Sequence, residues 1–405
     1  MTNSVLSKTP IVAALLALSS PAATAGEWDV SGSVGTELRT FFEKGTQPGQ
    51  LDTFQPSLLL EGDVRWQSDN RQWDVVLVPY ARLDGKDGQR THADMREAYV
   101  RWTGDEWTVR AGLAKIFWGV TESRHLVDII NQSDSVEDID DEDKLGQPMV
   151  EVSTIRDWGQ LTAYVMPRFR KRTFAGADGR LRAPFLVEND LTRFDEGRDD
   201  DEDVDFALRY SHYFGDWDVG LSFFRGADRE PRLVFDGTRG LLAPYYDDIT
   251  QVGVDLQYTK EAWLWKFEGI VRDTPFQTFA AAVGGVEYTF YGVTDAGADL
   301  GVLVEFQYDG RSSDPLLAPQ TIADNDIFIG TRLALNDAED TDFLGGIVVD
   351  VEDGSMSGLV ESSRRFGANW VGEIEGRFFM NTDADNLLYG FRRDSHVMLR
   401  LTRYF

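Results

Sequence analysis

The strongest constraint on this chain is a two-residue rhythm. From Trp28 to Phe42, the apolar or small residues Trp28, Val30, Gly32, Val34, Thr36, Leu38, Thr40 and Phe42 interleave with Asp29, Ser31, Ser33, Gly35, Glu37 and Arg39. Successive side chains of a strand point to opposite faces, so this segment has one apolar face and one polar face. It is also longer than the usual five or six residues of a strand.

The pattern recurs along the whole chain. Clear examples are 54–66, 73–83, 107–117, 204–214, 217–223, 250–258, 263–271, 286–290, 300–308, 327–335, 343–349, 370–378 and 397–405, with weaker runs at 95–102, 150–154, 161–165 and 356–362. The count comes to about 18 strands, with 16 the next choice. Helical periodicity is nearly absent, and no stretch holds the roughly 18 consecutive apolar residues of a helical membrane span. The connectors fall into two kinds. Short ones such as 67–71, 103–106, 156–159, 215–216 and 259–262 follow even strands, while longer ones at 44–53, 84–91, 119–147, 169–203, 226–247 and 309–324 follow odd strands. This is the asymmetry of a membrane barrel with short periplasmic turns and long external loops. The expectation is an all-β, single transmembrane antiparallel up-and-down barrel over residues 26–405.

The first 25 residues read differently. Lys8 precedes the apolar run IVAALLALSS, and Ala23-Thr24-Ala25 is a small-x-small cleavage pattern, so a signal peptide over 1–25 is expected, with cleavage before Gly26. Its apolar core of about ten residues is too short to cross a bilayer as a helix. Cysteine is absent, which excludes a disulfide framework, a thiolate nucleophile and a thiolate metal site. The formal charge is -29, with acid concentrated at 135–144, 194–205 and 335–342. Such runs read as solvated, mutually repelling loops. Nucleic acid is not expected as a partner, because counterion release needs a basic surface.

Aromatic residues sharpen the membrane reading. Trp28, Trp66, Trp73, Trp102, Trp107, Trp158, Phe214, Trp217, Tyr258, Trp263, Phe290 and Phe405 all stand at strand ends beside the short connectors. Strand propensity alone explains aromatics in strands but not this shared position; an interfacial girdle explains both. The last strand places Val397, Leu399, Leu401 and Phe405 on one face. Phe405 matches the C-terminal aromatic by which outer-membrane barrels are recognised for assembly, although Arg403 interrupts that face. The segments LAKIFWGVTESRHLVDIINQ (113–132), EDKLGQP (142–148), EAWLWKFE (261–268), VEYTFYG (286–292) and TRLALND (331–337) resemble a group of outer-membrane proteins of Gram-negative bacteria. That group in turn is similar to porin-like barrels of the alginate-export type. The resemblance implies an outer-membrane location and a barrel; it implies little about the solute.

The loop 119–147 is the third external loop, the one that folds into the lumen and narrows it in many porins. The stretch from Ser123 has a cap and a mixed face suited to a short helix. As a constriction, the loop is expected to bring Arg124, His125 and Asp128 toward the wall residues Arg82, Arg101, Arg110 and Lys115; a surface loop over the rim is the alternative. The lumen face carries both signs, which fits charge pairing or orientation of a polar solute. It lacks the strongly basic lining a polyanion exporter needs. DIDDEDKLG (138–146) has acids but neither the turn glycine nor the twelfth-position glutamate of an EF-hand, so no cofactor is expected beyond loose divalent cation binding by acidic loops.

Enzyme chemistry finds no constellation. Ser211 and His212 point to opposite faces of one strand, and His92, His125, His212 and His396 have no metal-ligand spacing. The expected function is a porin or substrate-selective channel for passive diffusion of small polar solutes. The rival is a plugged structural or adhesive barrel without transport. Expected partners are outer-membrane lipid, lipopolysaccharide and the assembly machinery, with the chain a monomer or a trimer.

Overall fold

The computed structural model describes residues 26–196, 198 and 202–405, so the leader expected over residues 1–25 lies outside the described residues. Eighteen strands form one sheet. The first seven are β1 (Glu27–Phe41), β2 (Phe54–Gln67), β3 (Trp73–Asp84), β4 (His92–Thr103), β5 (Trp107–Ala114), β6 (Gln147–Arg156) and β7 (Gly159–Met166). Next come β8 (Asp205–Phe214), β9 (Trp217–Ala227), β10 (Asp248–Lys260), β11 (Trp263–Asp273), β12 (Thr278–Phe290) and β13 (Asp299–Asp309). The ring ends with β14 (Asn325–Ala334), β15 (Asp342–Asp350), β16 (Met356–Phe366), β17 (Trp370–Met380) and β18 (His396–Tyr404). Every alternating segment of the sequence overlaps one of these strands, although the one read over 107–117 stops at Ala114.

Each strand runs antiparallel to its neighbour in the chain, and β18 closes the ring on β1, with Ser33 opposite Tyr404 and Phe41 opposite His396. Closure leaves no free edge and pairs the backbone amides of the wall within it. At the seam Phe405 exchanges both backbone hydrogen bonds with Gly32. Arg403, the interruption in the apolar face, lies 5.7 Å over the Trp370 ring, where a cation–π contact keeps its charge at the rim.

The pleat is inverted relative to a soluble protein. Outward-facing Val30 is 60% exposed and Leu399 49%, while inward-facing Glu37 is 3% and Glu268 0% exposed. A continuous apolar exterior of this kind needs an apolar solvent. Trp73, Trp107, Trp158, Trp217 and Trp263 are all exposed at the end carrying the connectors 68–72, 104–106, 157–158, 215–216 and 261–262. In the two-residue turn 215–216, Gly215 takes φ +65°, which a side chain would resist.

The opposite end carries the long connectors 42–53, 115–146, 167–204, 228–247, 310–324 and 381–395, although 274–277 and 351–355 at that end are short. Three short strands, Arg193–Phe194, Arg232–Asp236 and Leu241–Tyr246, form a small sheet from two of these loops. Among the described residues no helix is long and apolar enough to cross a membrane.

Candidate channel constriction

The loop 115–146 does not lie on the rim. It runs inside the barrel and bonds to the wall on two sides, by two different chemistries. At its base, Asn131 ties its two ends: its side-chain amide donates to the carbonyls of Ala114 (2.9 Å) and Leu145 (2.8 Å), and its oxygen accepts from the Ile116 amide (2.8 Å).

The first arm, from Ile116 to Ile130, is held by amides and apolar surface. Glu268 on β11 accepts from the amides of Val120 (2.7 Å), Thr121 (3.1 Å) and Val127 (3.2 Å) and from the Thr121 hydroxyl (2.7 Å). Glu305 on β13 accepts from the amides of Glu122 and Ser123, both at 2.8 Å, and from the Ser123 hydroxyl at 2.6 Å. Gly119, at φ +154°, permits the approach: a Cβ there would sit 2.8 Å from the His125 ring and 3.1 Å from Glu268. Beyond these staples Leu126, Val127, Ile129 and Ile130 bury against Tyr164, Ala207, Phe224, Ile249, Ile270, Phe279 and Val283, all buried together in one apolar cluster. Full burial of such a side chain stabilises by about 1.5–3 kcal/mol.

The short helix expected from Ser123 is absent. The Val127 amide, which a helix capped at Ser123 would turn back onto the Ser123 carbonyl, donates to Glu268 instead, while Glu305 takes the amides of Glu122 and Ser123.

The second arm, from Ser133 to Asp140, is held by charge. Asp134 meets Arg96 at 2.5 Å and accepts from the Thr173 hydroxyl at 2.6 Å. Glu137 meets Arg82 at 2.5 Å, and its carbonyl accepts from Arg39 at 2.7 Å. Asp138 pairs with Arg39 (2.8 Å) and Arg377 (3.4 Å), and Asp140 pairs with Arg377. Behind them Glu37 on β1 faces Arg82 (3.0 Å), Arg90 (2.8 Å) and Arg400 (2.8 Å). Burial alone would raise the Asp134 carboxyl, but the His92 contact and the Arg96 charge overcome it and hold the group well below the usual carboxylate range.

This arm corrects the reading of 135–144 as a solvated acidic run. Val136, Glu137 and Asp138 are buried, and the acids of 134–140 spend their charge on wall arginines; only 141–143 remain exposed. The run 335–342 is largely at the surface, with Thr341 buried, and 194–205 falls partly outside the described residues.

The seven candidate residues therefore divide. Arg82 is 1% exposed and locked between Glu37 and Glu137. Arg101 pairs with Asp74 at 3.0 Å with its side chain 43% exposed to the lumen, and Arg110 pairs with Glu151. Lys115 is exposed, its amide donating to Glu97 at 3.2 Å. Arg124 crosses to Asp309 (2.8 Å) and the Ala323 carbonyl (2.9 Å). His125 lies 3.8 Å from Glu268, beyond hydrogen-bond range, with its ring edge-on to Phe117. Burial disfavours its charged form, yet the Glu268 carboxylate prevails and raises its pKa above the ordinary value. Asp128 accepts from the Trp118 amide at 3.3 Å and meets Lys144 at 3.4 Å.

The expected meeting of Arg124, His125 and Asp128 with Arg82, Arg101 and Arg110 does not occur. The first arm is drawn to acids on β11 and β13, and it is the second arm that reaches Arg82. Glu268, Glu305, Asn131, Arg90 and Arg96 carry the loop, and the alternation of 263–271 and 300–308 puts Glu268 and Glu305 on the polar face without singling them out.

A second loop closes over the first. The Val136 amide donates to the Thr173 hydroxyl (3.1 Å), Arg172 reaches Ser133 (3.2 Å), and Arg180 of the same connector bonds Asp394 at 2.6 Å across the mouth. His92, Asp134 and Glu137 each offer a metal-ligand atom within 4.8 Å of the others. Arg96 and Arg82 already meet those carboxylates at 2.5 Å each, so positive charge fills that position.

No protein-family model matches the chain, and no curated protein matches it in sequence. Solved structures do match in fold. A BenF-like porin from Pseudomonas fluorescens Pf-5 is 10% identical with TM-score 0.54, covering 94% of this chain and 98% of its own. OccD3 (OpdP) of Pseudomonas aeruginosa is 12% identical with TM-score 0.51, covering 94% and 92%. OpdQ of the same species is 11% identical with TM-score 0.50, covering 94% and 97%. At these identities the likeness is one of fold.

Proposed function

We propose that the chain is an outer-membrane channel for passive diffusion of small polar solutes, with loop 115–146 setting the aperture. The observation that carries this reading is the loop's position: it lies within the lumen and is bonded to opposite walls, through Glu268 and Glu305 on one side and Arg82, Arg96 and Arg377 on the other. A lipid-facing apolar exterior, the tryptophan row and the fold of the matched porins support the location. The short-turn end faces the periplasm in this reading, the exported chain loses residues 1–25, and Phe405 at the seam serves recognition by the assembly machinery. Lipid and lipopolysaccharide cover the outside of a monomer or trimer. The remaining candidates for the passage wall are Arg101, Arg110 and Lys115, while Arg124, His125 and Asp128 shape the loop that narrows it. The porin fold of the matched structures supports a channel over an enzyme.

One observation favours the rival, a plugged barrel: the connector 167–204 bonds to the first loop from above and to Asp394 across the mouth. Planar-bilayer recording of purified protein separates the two. Discrete conductance steps, reduced by a small sugar, phosphate or carboxylate, are expected; a folded barrel that conducts nothing rejects the channel.

A further inference from the structure

Loop 115–146 adds far more acid than base to the lumen: its carboxylates outnumber Lys115, Arg124 and Lys144. What matters for a passing solute is how much of that charge is still free. Among the described residues, every arginine of the strand wall that faces the lumen has a carboxylate within 4.0 Å; thus Arg65 has Asp63, Arg101 has Asp74, Arg110 has Glu151, Arg209 has Asp255, and Arg332 has Glu122. Lys266 is likewise held, between Glu122 (3.6 Å) and Glu287 (3.8 Å).

The acids show the opposite. Glu61 on β2, Glu97 on β4, and Glu142 and Asp143 on the loop have no cation within 4.0 Å among the described residues, and Glu61, Glu142 and Asp143 are exposed to the lumen. The register places Glu61 opposite Ser33 and Tyr80, and Glu97 opposite Val78, all on the inner face. Lys115, at the foot of the loop, differs: among the described residues it has no carboxylate within 4.0 Å, and the charges that act on it are those of Arg96, Asp143, Glu61 and Glu97. Two independent features thus agree, the free carboxylates and the near-complete neutralisation of the arginines.

We infer that the passage selects for cations, with Glu61, Glu97, Glu142 and Asp143 setting the sign of the field and Lys115 weakening it. This rests on the channel reading and names its solute class: small organic or inorganic cations rather than carboxylates or phosphates. An anion entering finds guanidinium groups already paired and can bind only by displacing a carboxylate into a low-dielectric wall. A cation finds carboxylates that exchange a water for it at no such cost. Acidic linings with low-dielectric walls concentrate counter-ions in this way.

The test is the reversal potential of the full chain in planar bilayers under a KCl gradient. The wild type should favour K⁺ over Cl⁻ by about tenfold at low salt, the lower end of such enrichment. The preference should fall as salt screens the lumen. The variant Glu61→Gln, Glu97→Gln, Glu142→Gln, Asp143→Asn should bring the ratio toward unity. Should that variant fail to assemble, Lys115→Met alone must move the ratio upward. A wild-type channel that prefers Cl⁻, or a ratio unmoved by Lys115→Met, overturns the inference and leaves the channel reading standing; a folded barrel with no conductance overturns both.

Discussion

The two arms of loop 115–146 solve one problem in different ways. The arm over 116–130 offers backbone amides and apolar side chains, and the wall answers with two buried glutamates and an apolar patch on β7 to β12. The arm over 133–140 offers carboxylates, and the wall answers with arginines on β1, β3, β4 and β17. Apolar contact supplies most of the favourable free energy on the first side and tolerates small shifts in position. Buried ion pairs add little net stability over an apolar equivalent but tolerate no missing partner. The first arm anchors the loop, and the second fixes where it points.

Removing a hub is the most severe way to break this contrast. Glu37→Ala leaves Arg82, Arg90 and Arg400 without their shared partner, and about 3–5 kcal/mol of barrel stability should be lost. Thermal unfolding in detergent, followed by the gel-mobility change of heated barrels, measures it; a loss comparable to an ordinary surface change would mean that water already screens the cluster.

Glu268→Ala acts on the other arm and should do less globally. Orphaning the amides of Val120, Thr121 and Val127 costs about 1–3 kcal/mol for each group that water cannot reach. The expected signature is local: faster hydrogen exchange over 120–127 and noisier open-channel current, while Asp134 and Glu137 keep their arginines. Equal loosening of both arms would show that they are one cooperative unit.

Acid sharpens the contrast further. The Asp134 carboxyl titrates below its unfolded value of about 3.9, so its stabilisation is complete above that value and drains away only as pH falls through the lower folded value. Lowering pH from neutrality to about 4 should therefore leave the Asp134–Arg96 contact in place, while Asp140, whose carboxyl is raised well above the ordinary value by burial and the Asp138 charge, releases Arg377 earlier. Loosening around Asp134 itself well above that pH would refute its pairing with Arg96.

The smallest effect belongs to His125. Its pKa is raised by Glu268, so its charged form contributes fully below about 6.5 and the contribution is lost as pH climbs through the higher folded value. A mild increase in first-arm exchange on the alkaline side is expected, and His125→Gln should abolish that dependence without loosening the second arm.

The wall was legible because every strand obeys one period and one boundary condition, apolar outside and polar inside. Where the boundary condition changes, the reading falters. Only 286–290 of β12 was readable, because Phe279, Ala281 and Val283 face the apolar arm of the loop and erase the alternation. The strand read over 107–117 ends at Ala114: Lys115, Ile116 and Phe117 keep the rhythm, but the Ile116 amide turns to Asn131. The loop was expected either to fold inward or to cover the rim, and of the wall arginines expected to meet it Arg82 does so, through Glu137. Composition shows that Glu137 and Asp138 are acidic but not that arginines sit opposite, since those come from strands far apart in sequence that only barrel closure brings together.

Deletion of residues 121–145 tests the central claim most directly, because it removes both arms and leaves the strand register untouched. Single-channel conductance of the shortened barrel should rise clearly above that of the full chain if the loop sets the aperture. A folded, shortened barrel with unchanged conductance would contradict it and return the loop to the rim.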